Sequence, residues 1–308
     1  MPTVTADGVL VVDKPQGLTS HDVVAAARRA LGEKRIGHTG TLDPLATGVL
    51  PLAVGRATRL VRFLTASDKD YDATIRFGLT TDSFDATGVE TSRTDRVPTR
   101  DALLTAIDAL TGDYLQLPPA FSAKKTDGRR AYSLARLGQT VTLTPVPVRV
   151  SRATLLDLTA DTARVTLTCS AGFYVRSFAH ALGELTGTGA CLDALRRTRS
   201  GEFDLSVASS MDRLGPPSGL GDSLVALERL LPSFPSAALT DRGRLHVTHG
   251  RELGPEDFVM GHDARHEGPA AGALPAAWVR LLDGTGALVA MATPGQTPGS
   301  LHPSVVLV

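Results

Sequence analysis

Asp43 is the residue of this 308-residue chain whose setting most suggests chemistry. It lies in Gly37–Gly48 (GHTGTLDPLATG), where three glycines permit close backbone approach and Pro44 fixes the chain directly after the carboxylate. Such a loop suits the rigid presentation of one acid, and equally an aspartate that caps a turn before proline. Taken alone, the loop leaves both readings open. No second carboxylate stands at an identifiable glycosidase spacing. The loop also lacks Gly-Lys-Ser/Thr and G-x-G-x-x-G, so a phosphate cradle is not indicated. The eight histidines form no H-E-x-x-H pattern; His246 and His249 are three apart but have no nearby third ligand. Neither G-x-S-x-G nor a catalytic cysteine context occurs. What remains is a single loop carboxylate with basic and aromatic residues to support it.

The elements that must position these residues follow from the patterning. Gly8–Asp13 reads as a short buried strand. Ser20 is expected to cap a helix ending near Gly32, with Val23, Val24, Ala27 and Leu31 on one face. In Tyr71–Phe77, apolar and polar residues alternate as in a half-buried strand, which makes Tyr71 either a core residue or a ring and hydroxyl facing a ligand. Thr99–Leu110 reads as a capped helix with Leu103, Leu104, Ile107 and Leu110 inward. Val165, Leu167 and Cys169 alternate in a further strand, followed by a helix carrying Phe178, Leu182 and Leu185. Strands and helices without a βα repeat favour an α+β fold. Near Pro232–Pro235 the texture changes to a β-rich appendage of about 70 residues behind an exposed linker, with strands expected at 278–282, 287–292 and 305–308.

Composition sets the outer bounds. At 42% hydrophobic and 21% charged, the chain is too apolar for a disordered protein. Two cysteines make neither a disulfide framework nor a four-thiolate zinc site. No apolar run has the length of a membrane span and the N-terminus lacks a signal pattern, so a cytoplasmic protein is expected. The 32 basic and 32 acidic residues sum to zero, but unevenly. Ser122–Arg152 holds seven basic residues against Asp127 alone, while Asp82–Asp113 holds seven acids against three arginines. Smaller basic groups occur at Arg28, Arg29, Lys34 and Arg35 and at Arg196, Arg197 and Arg199. Each cluster alone suits a solvated surface; three in a neutral chain suit a surface that tracks phosphate.

The run Lys34-Arg35-Ile36-Gly37-His38-Thr39-Gly40-Thr41-Leu42-Asp43-Pro44-Leu45-Ala46-Thr47-Gly48 closely resembles the signature of TruB-type tRNA pseudouridine synthases. Asp13-Lys14-Pro15-Gln16-Gly17 before it resembles a second motif of that family. Lys69-Asp70-Tyr71, Gly172-Phe173-Tyr174-Val175-Arg176-Ser177 and Leu195-Arg196-Arg197 follow in the family's order. The stretch through Ser122-Ala123-Lys124-Lys125 and Tyr132 to Gly138 is similar to the family's RNA-gripping insertion, here about residues 116–145. The resemblance is strong over residues 8–235 and weak over the last 70.

The resemblance implies a mixed, largely antiparallel sheet flanked by helices, in a catalytic domain over 1–235, with a small β-rich, PUA-like domain over 236–308. It implies conversion of uridine 55 in the tRNA T arm to pseudouridine, by base flipping and an aspartate nucleophile. The reaction oxidises nothing and uses no donor, so no metal or organic cofactor is expected. Asp43 matches the nucleophile, Arg176 the arginine that holds it ionised, and Tyr71 the tyrosine at the uracil. Tyr174 and Leu195 match positions lining the uracil pocket, though both suit a hydrophobic core equally. His38 matches the residue that fills the vacated stack, and Lys14 a loop-supporting lysine. Lys124, Lys125, Arg129 and Arg130 would grip phosphates along the T arm. A monomer needing no protein partner is expected. Two rivals stay in view: a non-catalytic tRNA-binding or tRNA-folding protein on the same scaffold, and an aspartate-dependent hydrolase of small glycosides.

Overall fold

A computed structural model of the chain describes residues 7–120, 125–126, 129–130, 143–214, 223–259 and 278–308. They fall into two compact units, one built from 1–43, 49–67 and 201–308, the other from 44–48 and 68–200.

In the first unit, strand β1 (Gly8–Lys14) is buried almost throughout, as its run of β-branched residues requires. It pairs in parallel with Ser209–Ser210 and antiparallel with Leu224–Ala226. Helix α1 (Ser20–Leu31) buries Val23, Val24, Ala27 and Leu31, as the spacing predicts. Its cap is Thr19 rather than the expected Ser20. The Thr19 hydroxyl accepts from the Asp22 N–H while the Asp22 carboxylate takes the Thr19 N–H, a reciprocal box contributing about 1 kcal/mol. Strand β2 (Ile36–His38) pairs antiparallel with the later part of β3 (Thr47–Val54). The Gly37–Gly48 segment is therefore a loop only over 39–46.

The first unit's core joins Val9, Val11, Val49, Leu60 and Phe63 to Trp278, Leu288, Met291 and Leu307. Phe63 is preceded by Arg62 in helix α2 (Val61–Thr65), and the Arg62 guanidinium lies 4.2 Å from the centre of the Trp278 ring. A four-stranded sheet of Ser236–Ala238, Val279–Leu282, Leu288–Pro294 and Leu301–Val306 carries a second cluster around Leu239, Val247, Leu281 and Ala290. Pro232 and Ser233 are exposed as the linker reading requires, but Leu230 and Leu231 beside them are core residues. The tether is thus pinned at its entry. The Gly268–Ala277 stretch lies outside the described residues.

The second unit is organised on strand β4 (Lys69–Phe77), in which Lys69, Tyr71, Ala73, Ile75 and Phe77 are buried and the alternate residues half-buried. Strand β5 (Gly112–Gln116) pairs antiparallel with β6 (Val146–Leu158), β6 with β7 (Thr162–Cys169), β7 with β4, and β4 with β8 (Ala190–Ser200). Arg196 and Arg197 of β8 then pair in parallel with Thr47 and Gly48, the opening residues of β3. The sheet is mixed and largely antiparallel. Helix α3 (Arg100–Ala109) packs on β6, and α4 (Val175–Thr186) packs on α3, β4 and β8. Of the residues expected inward on α3, Leu104 points to solvent instead, 43% exposed, and Leu110 is only half-buried; Leu185 on α4 is 56% exposed. In α3 the inward stripe is Leu103, Ala106 and Ile107. Leucine is a good helix former at solvent positions too, so its presence did not establish its direction.

Helix α5 (Asp241–Thr248) belongs to the first unit. Among the described residues no helix is long and apolar enough to cross a membrane.

Candidate active site

Neutral hydrogen bonds hold the backbone on either side of the Asp43 loop. The Ser20 hydroxyl, freed from capping, donates to the Leu42 carbonyl at 2.9 Å and accepts the Leu42 N–H at 2.8 Å. One buried side chain thereby satisfies both backbone groups of the residue before Asp43. The Thr39 N–H donates to the Pro51 carbonyl at 3.0 Å, and Leu42 and Ala46 are buried as apolar anchors. Asp43 itself is half-buried and Pro44 exposed, so the carboxylate is presented rather than enclosed.

Lys14 is fully buried, and its ammonium donates to the carbonyls of Pro15 at 2.9 Å and Leu18 at 2.7 Å. It cross-braces the turn that delivers Thr19 and Ser20 to the helix start. Lys14 thus bonds within the turn that precedes Ser20, and Ser20 clasps Leu42. His38, half-buried, ends β2 opposite Leu52.

In the second unit the buried face of β4 carries Lys69 and Tyr71. In β8, Arg197 lies directly opposite Tyr71, and Leu195 opposite Ala73, so Leu195, Arg197 and Tyr71 share one face. Arg197 is only 1% exposed. Burial, and then the charge of Arg197, pushes the Lys69 ammonium down to about 8. This region corrects the reading of Arg196, Arg197 and Arg199 as a phosphate-tracking group. Arg197 is interior, Arg199 is paired with Asp70 at 2.7 Å, and Arg196 reaches the Thr47 hydroxyl. Gly48 shows how closely the strands approach. Its φ is +101°, and a Cβ there would stand 2.2 Å from the Arg197 carbonyl oxygen, so only glycine fits. Gly37 and Gly40 do not adopt positive φ.

Arg176 opens α4 and is buried, with Nη1 donating to the Ser83 carbonyl at 3.1 Å and lying 3.6 Å from Asp85 Oδ2. Asp85 is equally buried. Its other oxygen accepts from the Ser83 hydroxyl, the Thr87 N–H and the Thr87 hydroxyl at 3.0, 3.0 and 2.6 Å. A buried ion pair survives desolvation when its spare lone pairs are satisfied in this way. Tyr174, the residue before α4, exchanges two hydrogen bonds with the Gln116 amide: its N–H donates at 2.8 Å and its carbonyl accepts at 3.0 Å. Ser177 donates to the Leu117 carbonyl at 2.7 Å. The start of α4 is therefore clamped to the end of β5, which aims Arg176 and Tyr174.

Asp85, Ser83, Gln116 and Ser20 escaped the sequence reading. Asp85 stood in the acid-rich stretch taken as charge balance. Its only local signal was the Ser83-x-Asp85-x-Thr87 spacing, which matches side chains folding back on their own turn. Of the residues expected to grip phosphate, Lys124 lies outside the described residues, as does Tyr132–Gly138. Lys125 and Arg129–Arg130 form a two-stranded hairpin, Lys125 opposite Arg130, whose side chains are not described. The thiols of Cys169 and Cys191 are buried and pushed up by desolvation, which disfavours a thiolate nucleophile. Among the described residues no group of His, Cys, Asp and Glu is arranged to hold a metal ion.

Comparison with known proteins gives the family and the fold. Residues 28–175 match the family model described as TruB family pseudouridylate synthase (N terminal domain). A protein of Solibacter usitatus named tRNA pseudouridine synthase B is 43% identical over 307 residues, covering 98% of this chain and all of that protein. One of Mycobacterium ulcerans with the same name is 47% identical over 255 residues, covering 80% of this chain and 83% of that protein. Among solved structures, a Cbf5-Nop10-Gar1 complex contains a chain with TM-score 0.72 at 23% identity, covering 99% of this chain and 86% of that one. An H/ACA RNP bound to a substrate RNA containing 2′-deoxyuridine gives TM-score 0.71, also at 23% identity and covering 99% and 86%. At that identity the likeness is one of fold.

Proposed function

The chain belongs to the TruB family of pseudouridylate synthases, and from that premise we propose that it isomerises uridine 55 in the tRNA T arm with Asp43 as nucleophile. As a pseudouridine synthase it is an isomerase acting on tRNA. The N1–C1′ glycosidic bond breaks, the base turns, and a C5–C1′ bond forms. C5 gives up its proton and N1 gains one, so product and substrate have the same composition. The observation that carries the reading is the Asp43 loop itself. A carboxylate is presented at a loop tip whose preceding residue is clasped on both backbone groups by Ser20. Preorganisation of this kind lets a nucleophile attack without first ordering its own backbone.

The motif match assigns Arg176 the positive charge that keeps the nucleophile ionised. It assigns Tyr71 the ring against the uracil and the hydroxyl near the C5 proton. Tyr174 and Leu195 supply apolar walls, and His38 the ring that replaces the flipped base in the stack. Lys14 acts through the loop it braces. Phosphate contacts fall to the 116–145 insertion with Lys124, Lys125, Arg129 and Arg130, and binding should weaken steeply as salt rises. The catalytic domain is assigned to 1–235 and the small β-rich, PUA-like domain to 236–308. The enzyme works as a monomer without a protein partner, in the cytoplasm where its substrate pool lies.

The test is Asp43→Asn with a tRNA transcript. Pseudouridine formation should fall by about 10⁴-fold or more while tRNA affinity changes little. Equal loss of binding and turnover would make Asp43 a structural residue, and product at a position other than 55 would refute the assigned target.

A further inference from the structure

We propose that the stacked pair Phe84–His180 is the positioning device that holds the Arg176 guanidinium in register for turnover. The inference rests on the assignment of Arg176 to the reacting site. His180 lies four residues after Arg176 on α4, one turn along the same helix face. Phe84 lies between two residues that contact the guanidinium: Ser83, whose carbonyl accepts from Nη1, and Asp85, whose Oδ2 faces that nitrogen. The Phe84 and His180 rings are stacked, 3.9 Å between centroids and 8° from parallel. Beside the bonds of Arg176 itself, one aromatic contact thus ties the loop holding Arg176 to the helix carrying it.

Three further observations separate this pair from an ordinary aromatic contact. Phe84 has φ +63°, a left-handed conformation that a bulky residue holds only where its surroundings fix it. Its backbone is strapped to β8, with the Leu192 N–H donating to the Phe84 carbonyl at 2.9 Å and the Ala86 N–H to the Leu192 carbonyl at 2.8 Å. The Thr81 hydroxyl closes the same turn on the Asp85 carbonyl at 2.7 Å. Meanwhile the His180 ring is not oriented by hydrogen bonds. Its buried Nδ1 has no hydrogen-bond partner among the described residues, and Nε2 stands 3.6 Å from the exposed Glu184 carboxylate. Burial holds the imidazole below its ordinary range, which favours the neutral ring. The loop is fixed to the sheet, and the helix is fixed to the loop through the stack.

The test measures pseudouridine formation per folded protein, KM for tRNA and thermal unfolding in Phe84→Gly, Phe84→Tyr, His180→Phe and Arg176→Lys. Glycine adopts the left-handed backbone freely, so Phe84→Gly removes the ring without adding backbone strain. We expect its kcat to fall by about tenfold or more with KM within about threefold, the pattern of a misplaced reacting group. Phe84→Tyr and His180→Phe keep a stackable ring and should restore most of the turnover. A wild-type rate in Phe84→Gly, an effect on KM alone, or no rescue by tyrosine would overturn the proposal. Arg176→Lys separates the two levels. If it retains full turnover, the role of Arg176 fails and the stack's role fails with it. If Arg176→Lys is crippled while Phe84→Gly is not, only the stack is refuted.

Discussion

The Asp43 loop and the Arg176 surroundings solve the same problem, fixing one ionic side chain, by opposite means. Around Asp43 the anchors are neutral: the Ser20 clasp on Leu42, the Thr39 bond to Pro51, and the buried Leu42 and Ala46. Asp43 is half-buried, and the one buried charge in this support, the Lys14 ammonium, acts a step back on the turn that leads to Ser20. Around Arg176 the anchors are charged and interior, with Asp85 opposite the guanidinium and its own second oxygen saturated by three donors. Lys69 and Arg197 add two more buried cations to that unit. Under the roles proposed above, a nucleophile must meet substrate, so its support sits behind it. The charge proposed to steady it acts most strongly where the dielectric is low, so its support is built around it.

That contrast predicts unequal responses. The largest is expected for Asp85→Ala, which removes the carboxylate beside a buried guanidinium. It should cost about 3–5 kcal/mol in denaturant unfolding as well as turnover. A cost below about 1 kcal/mol would show that water already satisfies Arg176, and the contrast would collapse. Next is the pH dependence contributed by Lys69. Its ammonium is depressed to about 8 in the folded chain against an ordinary value near 10.5, so between these values the unfolded chain binds the extra proton. Stability from this group should therefore rise from about pH 8 to about pH 10.5, by about 3 kcal/mol, and be lost as pH falls back through 8. Lys69→Met should flatten that rise; an unchanged slope would place the titration elsewhere. The smallest effect is expected for Ser20→Ala, which leaves the Leu42 N–H and carbonyl unpaired at a cost of about 1–3 kcal/mol. Its kcat should fall more than its tRNA affinity, because the loop loses its order rather than its charge. An unchanged kcat would show that Pro44 alone suffices to set the loop.

Much of the molecule was legible because the signal was local. The alternation in β4, the stripe of α1 and the buried run of β1 each report their own environment at fixed spacing. The misread positions share a different cause. Ser20 looked like a cap because serine is a good cap, but Thr19 one residue earlier offered the reciprocal bond with Asp22, leaving Ser20 for a partner 22 residues away. Leu104 looked interior because it is a leucine at near-stripe spacing, although it lies on the outer side of its helix. Arg197 looked like surface charge until the pairing of β8 with β4 set it opposite Tyr71.

The sequence by itself determined the Gly37–Gly48 signature, the order of the motifs, the family and the α+β class, because each is written in contiguous residue types with narrow steric or chemical tolerance. Only the tertiary structure decided which charges are interior and who their partners are. Asp85 meets Arg176, and Phe84 meets His180, through strand register and a helix start clamped by Gln116. Burial and pairing are properties of three-dimensional neighbours, and one sequence position carries no record of which distant residue will desolvate it.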